Sequence, residues 1–233
     1  AFERAMSDSD HHPSALRNRN VILAQLQQVP LPSHASLALE VASGTGAHME
    51  VFAPGLPNLK WQPSEYCPAV ERGHDLGEKQ GRIGQFGTDP MEILNRYGHR
   101  LHPNVAPAVH LDASAPWDQW PEVCRQQEGQ WALVHVSNMC HITPWACTEG
   151  LIAGAGRALI VGGSLTIYGP FKVDGKFTTP SNEEFDRSLR GRNALWGYRD
   201  IDDLRALGAQ HGLTLQEVKD MPANNHFLRF QKQ

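Results

Sequence analysis

The segment Leu39-Glu40-Val41-Ala42-Ser43-Gly44-Thr45-Gly46-Ala47-His48 constrains the fold of this chain more than any other stretch. Leu37 to Ala42 is an apolar run of strand length that stops at Ser43-Gly44-Thr45-Gly46, and a short helix from about Ala47 to Phe52 ends at Pro54-Gly55. A strand that runs through glycines into a helix points to an open α/β sheet. Glycine at a strand's carboxyl end lets a ligand approach the backbone where a side chain would clash. That edge is also where such sheets bind their ligands. A dinucleotide fingerprint requires a third glycine, but position 49 is Met, and no Gly-Lys-Ser/Thr opens the helix for a nucleoside triphosphate. The nicotinamide oxidoreductase reading is weakened accordingly, and a plain strand-to-helix turn stays open.

The same alternation continues along the chain. Ser14 is placed to cap a helix through Leu16, Val21, Ile22, Leu23 and Leu26, stopped by Pro30 and Pro32. Leu59 to Gln62, Ala108 to Leu111, Gln130 to Val136 and Ser164 to Tyr168 read as further strands. Thr88 or Asp89, with Pro90 in the first turn, starts a helix through Met91, Ile93, Leu94 and Tyr97. Other helices span Thr148 to Ala158, before Val161-Gly162-Gly163, and Ile201 to His211, stopped at Gly212. Leu213 to Val218 and His226 to Phe230 close the chain as a hairpin across Met221 to Asn225. The expectation is α/β: a single Rossmann-like domain over residues 1–233 with a mostly parallel seven-stranded sheet and a C-terminal antiparallel hairpin. Residues 1–13, including His11-His12, read as a frayed polar tail, and 68–87 as a Gly-rich loop insertion. Gly81, Gly84 and Gly87 follow no strand, which favours a surface loop over a phosphate cradle.

Composition narrows the partners. With 21 Lys+Arg against 25 Asp+Glu the net charge is −4, against the basic face of a nucleic-acid reader. No apolar run approaches the ~20 residues that span a bilayer, and the first twenty residues hold no signal-peptide core. Cys67, Cys124, Cys140 and Cys147 form no CxxC pair, so reduced thiols and a cytoplasmic location are expected. Cys140, His141 and Cys147 match no closed zinc spacing, so no metal is expected.

The acid four positions before Gly44 gives the glycine turn a resemblance to the first motif of class I S-adenosylmethionine-dependent methyltransferases. A wider set of motifs extends the likeness over nearly the whole chain: Arg17-Asn18, EVASGTG, Trp61-Gln62-Pro63-Ser64, His110-Leu111-Asp112, Asn138 to Trp145, Cys147 to Leu151, Tyr168 to Lys176, Trp196 to Asp200 and Met221 to Asn225. Together they resemble the methyltransferase-like group that includes methyltransferase-like protein 26, a former domain-of-unknown-function family. The resemblance implies a class I fold with S-adenosyl-L-methionine as cofactor. It places Arg17, Asn18, Glu40, Ser43, Gly44, Thr45, Gly46, His48, Glu65, Asp112, Asn138 and Met139 against that cofactor. Glu65 would take the ribose hydroxyls, because a carboxylate accepts two hydrogen bonds at once, and Asp112 would lie beside the adenine. Between Cys67 and Asn104 the chain departs from the pattern, and Glu65 stands where relatives often carry Asp.

The acceptor side draws on residues after the fourth and fifth strands. His141 is the candidate general base, with Tyr168 as the second catalytic candidate. Trp145, Phe171, Lys172, Asn182, Arg192, Arg199, Asn224 and Asn225 are the candidate substrate contacts. Guanidinium donors with few acids suit an acceptor bearing a carboxylate or another oxyanion, and aromatic neighbours leave too little room for a polymer. Methyl transfer to a small polar metabolite is therefore expected. The alternative is a catalytically silent S-adenosylmethionine-binding regulatory or scaffold protein.

Overall fold

The computed structural model describes residues 11–67 and 90–233. The Gly-rich stretch 68–87 and the Thr88 or Asp89 cap lie outside the described residues. In chain order the strands are β1 (Leu37–Val41), β2 (Lys60–Glu65), β3 (Val109–His110), β4 (Trp131–Ser137), β5 (Leu159–Gly169), β6 (Phe171–Lys172), β7 (Arg199–Asp200), β8 (Leu213–Met221) and β9 (Asn225–Lys232). Seven of them form the central sheet in the order β3-β2-β1-β4-β5-β9-β8, while β6 and β7 pair separately. β1 to β5 run parallel. β9 is antiparallel to β5, and β8 is antiparallel to β9. The expected parallel sheet with an antiparallel C-terminal hairpin is what forms.

The helices are α1 (Pro13–Leu26), α2 (Met49–Gly55), α3 (Pro90–Tyr97), α4 (Glu122–Gln126), α5 (Trp145–Ala158), α6 (Pro180–Arg192) and α7 (Ile201–Gln210). Alternate side chains of a strand leave on opposite faces, and two cores follow. Leu39, Val41, Val134, Val136, Leu165 and Ile167 pack with Leu151, Ile152 and Ala155 of α5 and Leu204 of α7. Ala38, Leu133 and Phe227 pack with Ile22 and Leu26 of α1 and Met49 and Phe52 of α2. The second face also carries polar residues in one row. Glu40 pairs with His135, His135 with Thr166, Thr166 with Arg229, and Arg229 with Glu217.

Some local expectations need correction. Ser14 does not cap α1: the helix starts at Pro13, and the His12 ring accepts from the Ser14 amide at 3.2 Å. His11 is no loose tail, because its ring is 6% exposed and lies 4.2 Å from that of Tyr97. Gly162-Gly163 is not a loop between α5 and β5. The strand starts at Leu159 and absorbs both glycines where its register with β4 shifts. At Gly163 a Cβ would meet the carbonyls of Ile160 and Trp131 at 2.9 Å. Finally, α6 occupies a stretch that shows no apolar periodicity. It is capped by Thr179, whose hydroxyl accepts from the Asn182 amide at 3.2 Å.

Candidate active site

Where β1 turns into α2, the backbone is left-handed at Ala42 (φ 57°), Gly44 (59°) and Gly46 (84°). The two glycines meet different demands. Among the described residues a Cβ on Gly44 would meet nothing within 4 Å, whereas one on Gly46 would lie 3.1 Å from Tyr97 Cβ and 3.2 Å from Leu94 Cδ1. Gly46 therefore admits α3, whereas no described residue crowds Gly44. Ser43 and Ser64 lace the ends of β1 and β2 together. The Ser43 amide donates to the Ser64 carbonyl at 2.8 Å, and the Ser64 hydroxyl to the Glu40 carbonyl at 2.8 Å. Thr45 lies under the segment before α1, with its Oγ1 2.8 Å from His11 Nδ1.

Two acids meet at this turn. Glu65 Oε2 accepts from the Gly44 amide at 2.6 Å and Oε1 from the Tyr66 amide at 2.9 Å. Burial pushes the Glu65 carboxyl up to about 7, against the pull of those two amides and with a further push from Glu40. Glu40 is fully buried. Its Oε1 lies 3.0 Å from His48 Nδ1, and His48 Nε2 lies 2.9 Å from Asn18 Oδ1. Asn18 and His48 thus stand behind Glu40 as its support. Glu40 Oε2 is buried with no hydrogen-bond partner among the described residues. Asp112 caps its own turn, accepting from the Ser114 amide at 2.8 Å and hydroxyl at 2.7 Å.

These features fit S-adenosyl-L-methionine. An orphaned buried carboxylate oxygen suits an ammonium group, the described residues leave space over Gly44 for a ligand chain, and Glu65 stands at the end of β2 beside it. Among the described residues no group of three His, Cys, Asp or Glu side chains is placed to hold a metal ion.

The second half of the site gathers at β4 and β5. Asn138 is left-handed (φ 56°), and its amide donates to the Tyr168 carbonyl at 2.8 Å. His141 is buried, with the rings of Phe185 and Tyr198 at 6.0 and 6.2 Å. Burial, then the nearby guanidiniums of Arg199 and Arg192, hold its imidazole down to about 4, so it is neutral. Tyr168 is buried, its hydroxyl pushed up by burial and drawn back by Arg17 of α1.

Arg199 is engaged by the backbone. Its Nε donates to the Cys140 carbonyl at 3.0 Å, and its Nη2 to those of Thr143 at 2.6 Å and Leu195 at 3.1 Å. The Gly197 amide adds a bond to the His141 carbonyl at 3.0 Å. Nothing in the spacing of these residues announces this fastening. Trp145 lies under the Arg199 guanidinium at 5.7 Å and opens α5 rather than belonging to the loop of His141. Arg192 lies over Trp196 at 5.8 Å, and Lys172 over Phe177 at 4.5 Å.

Other candidates sit elsewhere. Phe171 is 1% exposed in the core, so its ring presents no surface to an acceptor; Met139 is likewise a core side chain. The Asn182 amide donates to Thr178 Oγ1 at 3.0 Å and to the Asn224 carbonyl at 3.2 Å. Asn225 donates to the carbonyls of Pro222 and Ala223. These asparagines shape the β8–β9 turn and tie α6 to it.

Comparison with known proteins bears on this geometry. The profile of a family described as "Protein of unknown function (DUF938)" matches residues 9–232. An O-methyltransferase family protein from Burkholderia thailandensis superposes with a TM-score of 0.67 at 13% identity, covering 94% of this chain and 57% of that one. Mitomycin 7-O-methyltransferase gives 0.66 at 13%, covering 94% and 54%. Human N-acetylserotonin methyltransferase, solved in complex with SAM, gives 0.64 at 12%, covering 92% and 51%. The chain spans little more than half the length of these solved chains. At such identities the likeness is one of fold, the Rossmann-like class I methyltransferase fold.

Proposed function

The chain belongs to the family described as protein of unknown function (DUF938), and from that premise we propose that it is an S-adenosyl-L-methionine-dependent methyltransferase acting on a small polar metabolite. The observation that carries the reading is the pairing of Glu40 and Glu65 around the Gly44 turn: one buried carboxylate oxygen without a partner, and one carboxylate poised at the end of β2. S-adenosyl-L-methionine, when bound, supplies a methyl group already activated on a sulfonium. What the chain must add is position, which converts a two-body encounter into an oriented one. In this reading Glu40 takes the ammonium group and is held for it by His48 and Asn18. Glu65 takes the ribose hydroxyls, Asp112 lies beside the adenine, and Asn138 closes the turn at the end of β4. His141 and Arg192 face the acceptor, with Tyr168 at the edge of β5. The mild net acidity of the chain supports a small-molecule partner over nucleic acid, and four unpaired cysteines support a cytoplasmic location. The motifs around Asn138, Tyr168 and Trp196 support grouping it with methyltransferase-like protein 26.

Calorimetric titration with S-adenosylhomocysteine tests the reading. Binding is expected in wild type and is expected to be lost in Glu40→Ala. Absence of wild-type binding overturns it. Binding without label transfer from [methyl-3H]S-adenosylmethionine to a small-molecule cell fraction leaves a catalytically silent binding protein instead.

A further inference from the structure

We infer that the acceptor is a small carboxylate whose polar head is carried on an apolar body, methylated on its carboxylate oxygen, an inference that rests on the methyl-transfer reading of the same site. Apolar exposure beside His141 is the first support. Ile142, Phe185 and Leu195 are 41%, 40% and 62% exposed. Ile142 follows His141 in the chain, the Phe185 ring lies 6.0 Å from the imidazole, and the Leu195 carbonyl shares Arg199 Nη2 with that of Thr143. Exposed apolar side chains scattered singly mean little, but clustered at a site they mark a binding surface.

Charge is the second support. Arg192 and Lys172 make no ion pair among the described residues and lie instead over the rings of Trp196 and Phe177. Three of the nearby acids are engaged elsewhere. Asp186 accepts from Arg190 and from the Tyr198 amide, Asp200 from the amides of Gly175 and Asp202, and Glu183 faces Arg187. A ligand at this mouth meets Arg192 and Lys172, neither engaged in an ion pair among the described residues, beside apolar surface. That combination fits a ring or acyl body ending in an anion.

His141 is the third. The groups that face it are Phe185, Tyr198, Arg192 and Arg199, and no Asp or Glu oxygen hydrogen-bonds its ring among the described residues. Such an imidazole is a poor acceptor for the proton of a phenol or an ammonium group, whereas a carboxylate is already ionised at neutral pH. In the step, a lone pair of the carboxylate oxygen forms the O–CH3 bond while the S–CH3 bond breaks and leaves its electron pair on sulfur. The sulfonium becomes a neutral thioether and the carboxylate a neutral methyl ester, and no proton moves. His141 then serves as a hydrogen-bonding wall of the pocket.

The full chain loaded with S-adenosylhomocysteine is titrated with benzoate and with benzylamine, which keeps the ring and reverses the charge. Benzoate is expected to bind at least tenfold more tightly. Arg192→Gln and Phe185→Ala are each expected to weaken benzoate about tenfold while leaving S-adenosylhomocysteine affinity unchanged, which also reports that the variants fold. Equal affinity for the two probes, or benzoate binding indifferent to both substitutions, overturns the inference. In a second arm, label transferred from [methyl-3H]S-adenosylmethionine to a small-molecule cell fraction is treated with mild alkali. Release of the label as methanol is expected of an ester. Alkali-stable label overturns the carboxylate inference and leaves methyl transfer standing, whereas failure to bind S-adenosylhomocysteine or to transfer any label overturns the underlying reading.

Discussion

Glu65 and Gly44 face each other across the ends of β2 and β1, the glycine amide donating to the carboxylate at 2.6 Å. The contact favours the carboxylate, but burial outweighs it. Burial raises the Glu65 carboxyl from 4.5 to about 7. The folded chain therefore holds a proton that the unfolded chain releases between those values. The stability contributed by this group is complete below about pH 4.5 and is lost as pH rises toward 7. Binding runs the other way, because only the carboxylate accepts two hydroxyls. S-adenosylhomocysteine affinity is expected to rise about tenfold from pH 6 to pH 8. Calorimetry in buffers of different ionisation enthalpy should show one proton released, and Glu65→Gln should flatten the pH dependence.

The two glycines of the turn should separate binding from stability. Gly46→Ala forces a Cβ against Tyr97 and Leu94 at a φ of 84° and is expected to cost roughly 2–3 kcal/mol in urea unfolding. Gly44→Ala carries only the left-handed backbone penalty of about 1–2 kcal/mol. It is expected to fold and to weaken S-adenosylhomocysteine.

His48→Ala leaves the buried Glu40 carboxylate with both oxygens unsupported. A loss of roughly 2–4 kcal/mol is expected. Asn18→Ala, one bond further away, should cost less. Thermal unfolding of both variants checks the order.

Arg199→Lys keeps the charge but cannot span the carbonyls of Cys140, Thr143 and Leu195 with a planar fork. Two lost bonds at about 1 kcal/mol each should lower Tm by roughly 4–8 °C. S-adenosylhomocysteine affinity should stay at the wild-type value, since β1 and β2 are untouched. Faster amide exchange is expected over residues 138–144.

Element order was legible wherever its signal was local. Leu37 to Ala42 ending in glycines, and Ile201 to His211 ending in Gly212, could be read within a few residues. α6 was missed although Thr179-Pro180 with Glu183 in the first turn is a helix start, because no apolar stripe follows it. β6 and β7 are two residues each, too short for any period to show. Pattern singled out the acids and glycines that meet at the β1–α2 turn, but it made Gly44 and Gly46 equivalent and made Arg199 a ligand clamp. Which neighbour a glycine admits, and which carbonyl a guanidinium meets 56 or 59 residues away, are set by tertiary packing alone.

The polar row from Glu40 through His135, Thr166 and Arg229 to Glu217 also discriminates among ways of assembling the sheet. The flanking strand sequences, rich in Val, Leu and Ile, would tolerate several alignments almost equally. Sliding β4 by one residue along β1 turns each side chain to the opposite face. It would move His135 among Leu39, Val41, Leu165 and Ile167 and take it away from Thr166, stranding buried polar atoms without partners. The polar residues beneath the site thus reject slipped pairings that the apolar residues alone would accept.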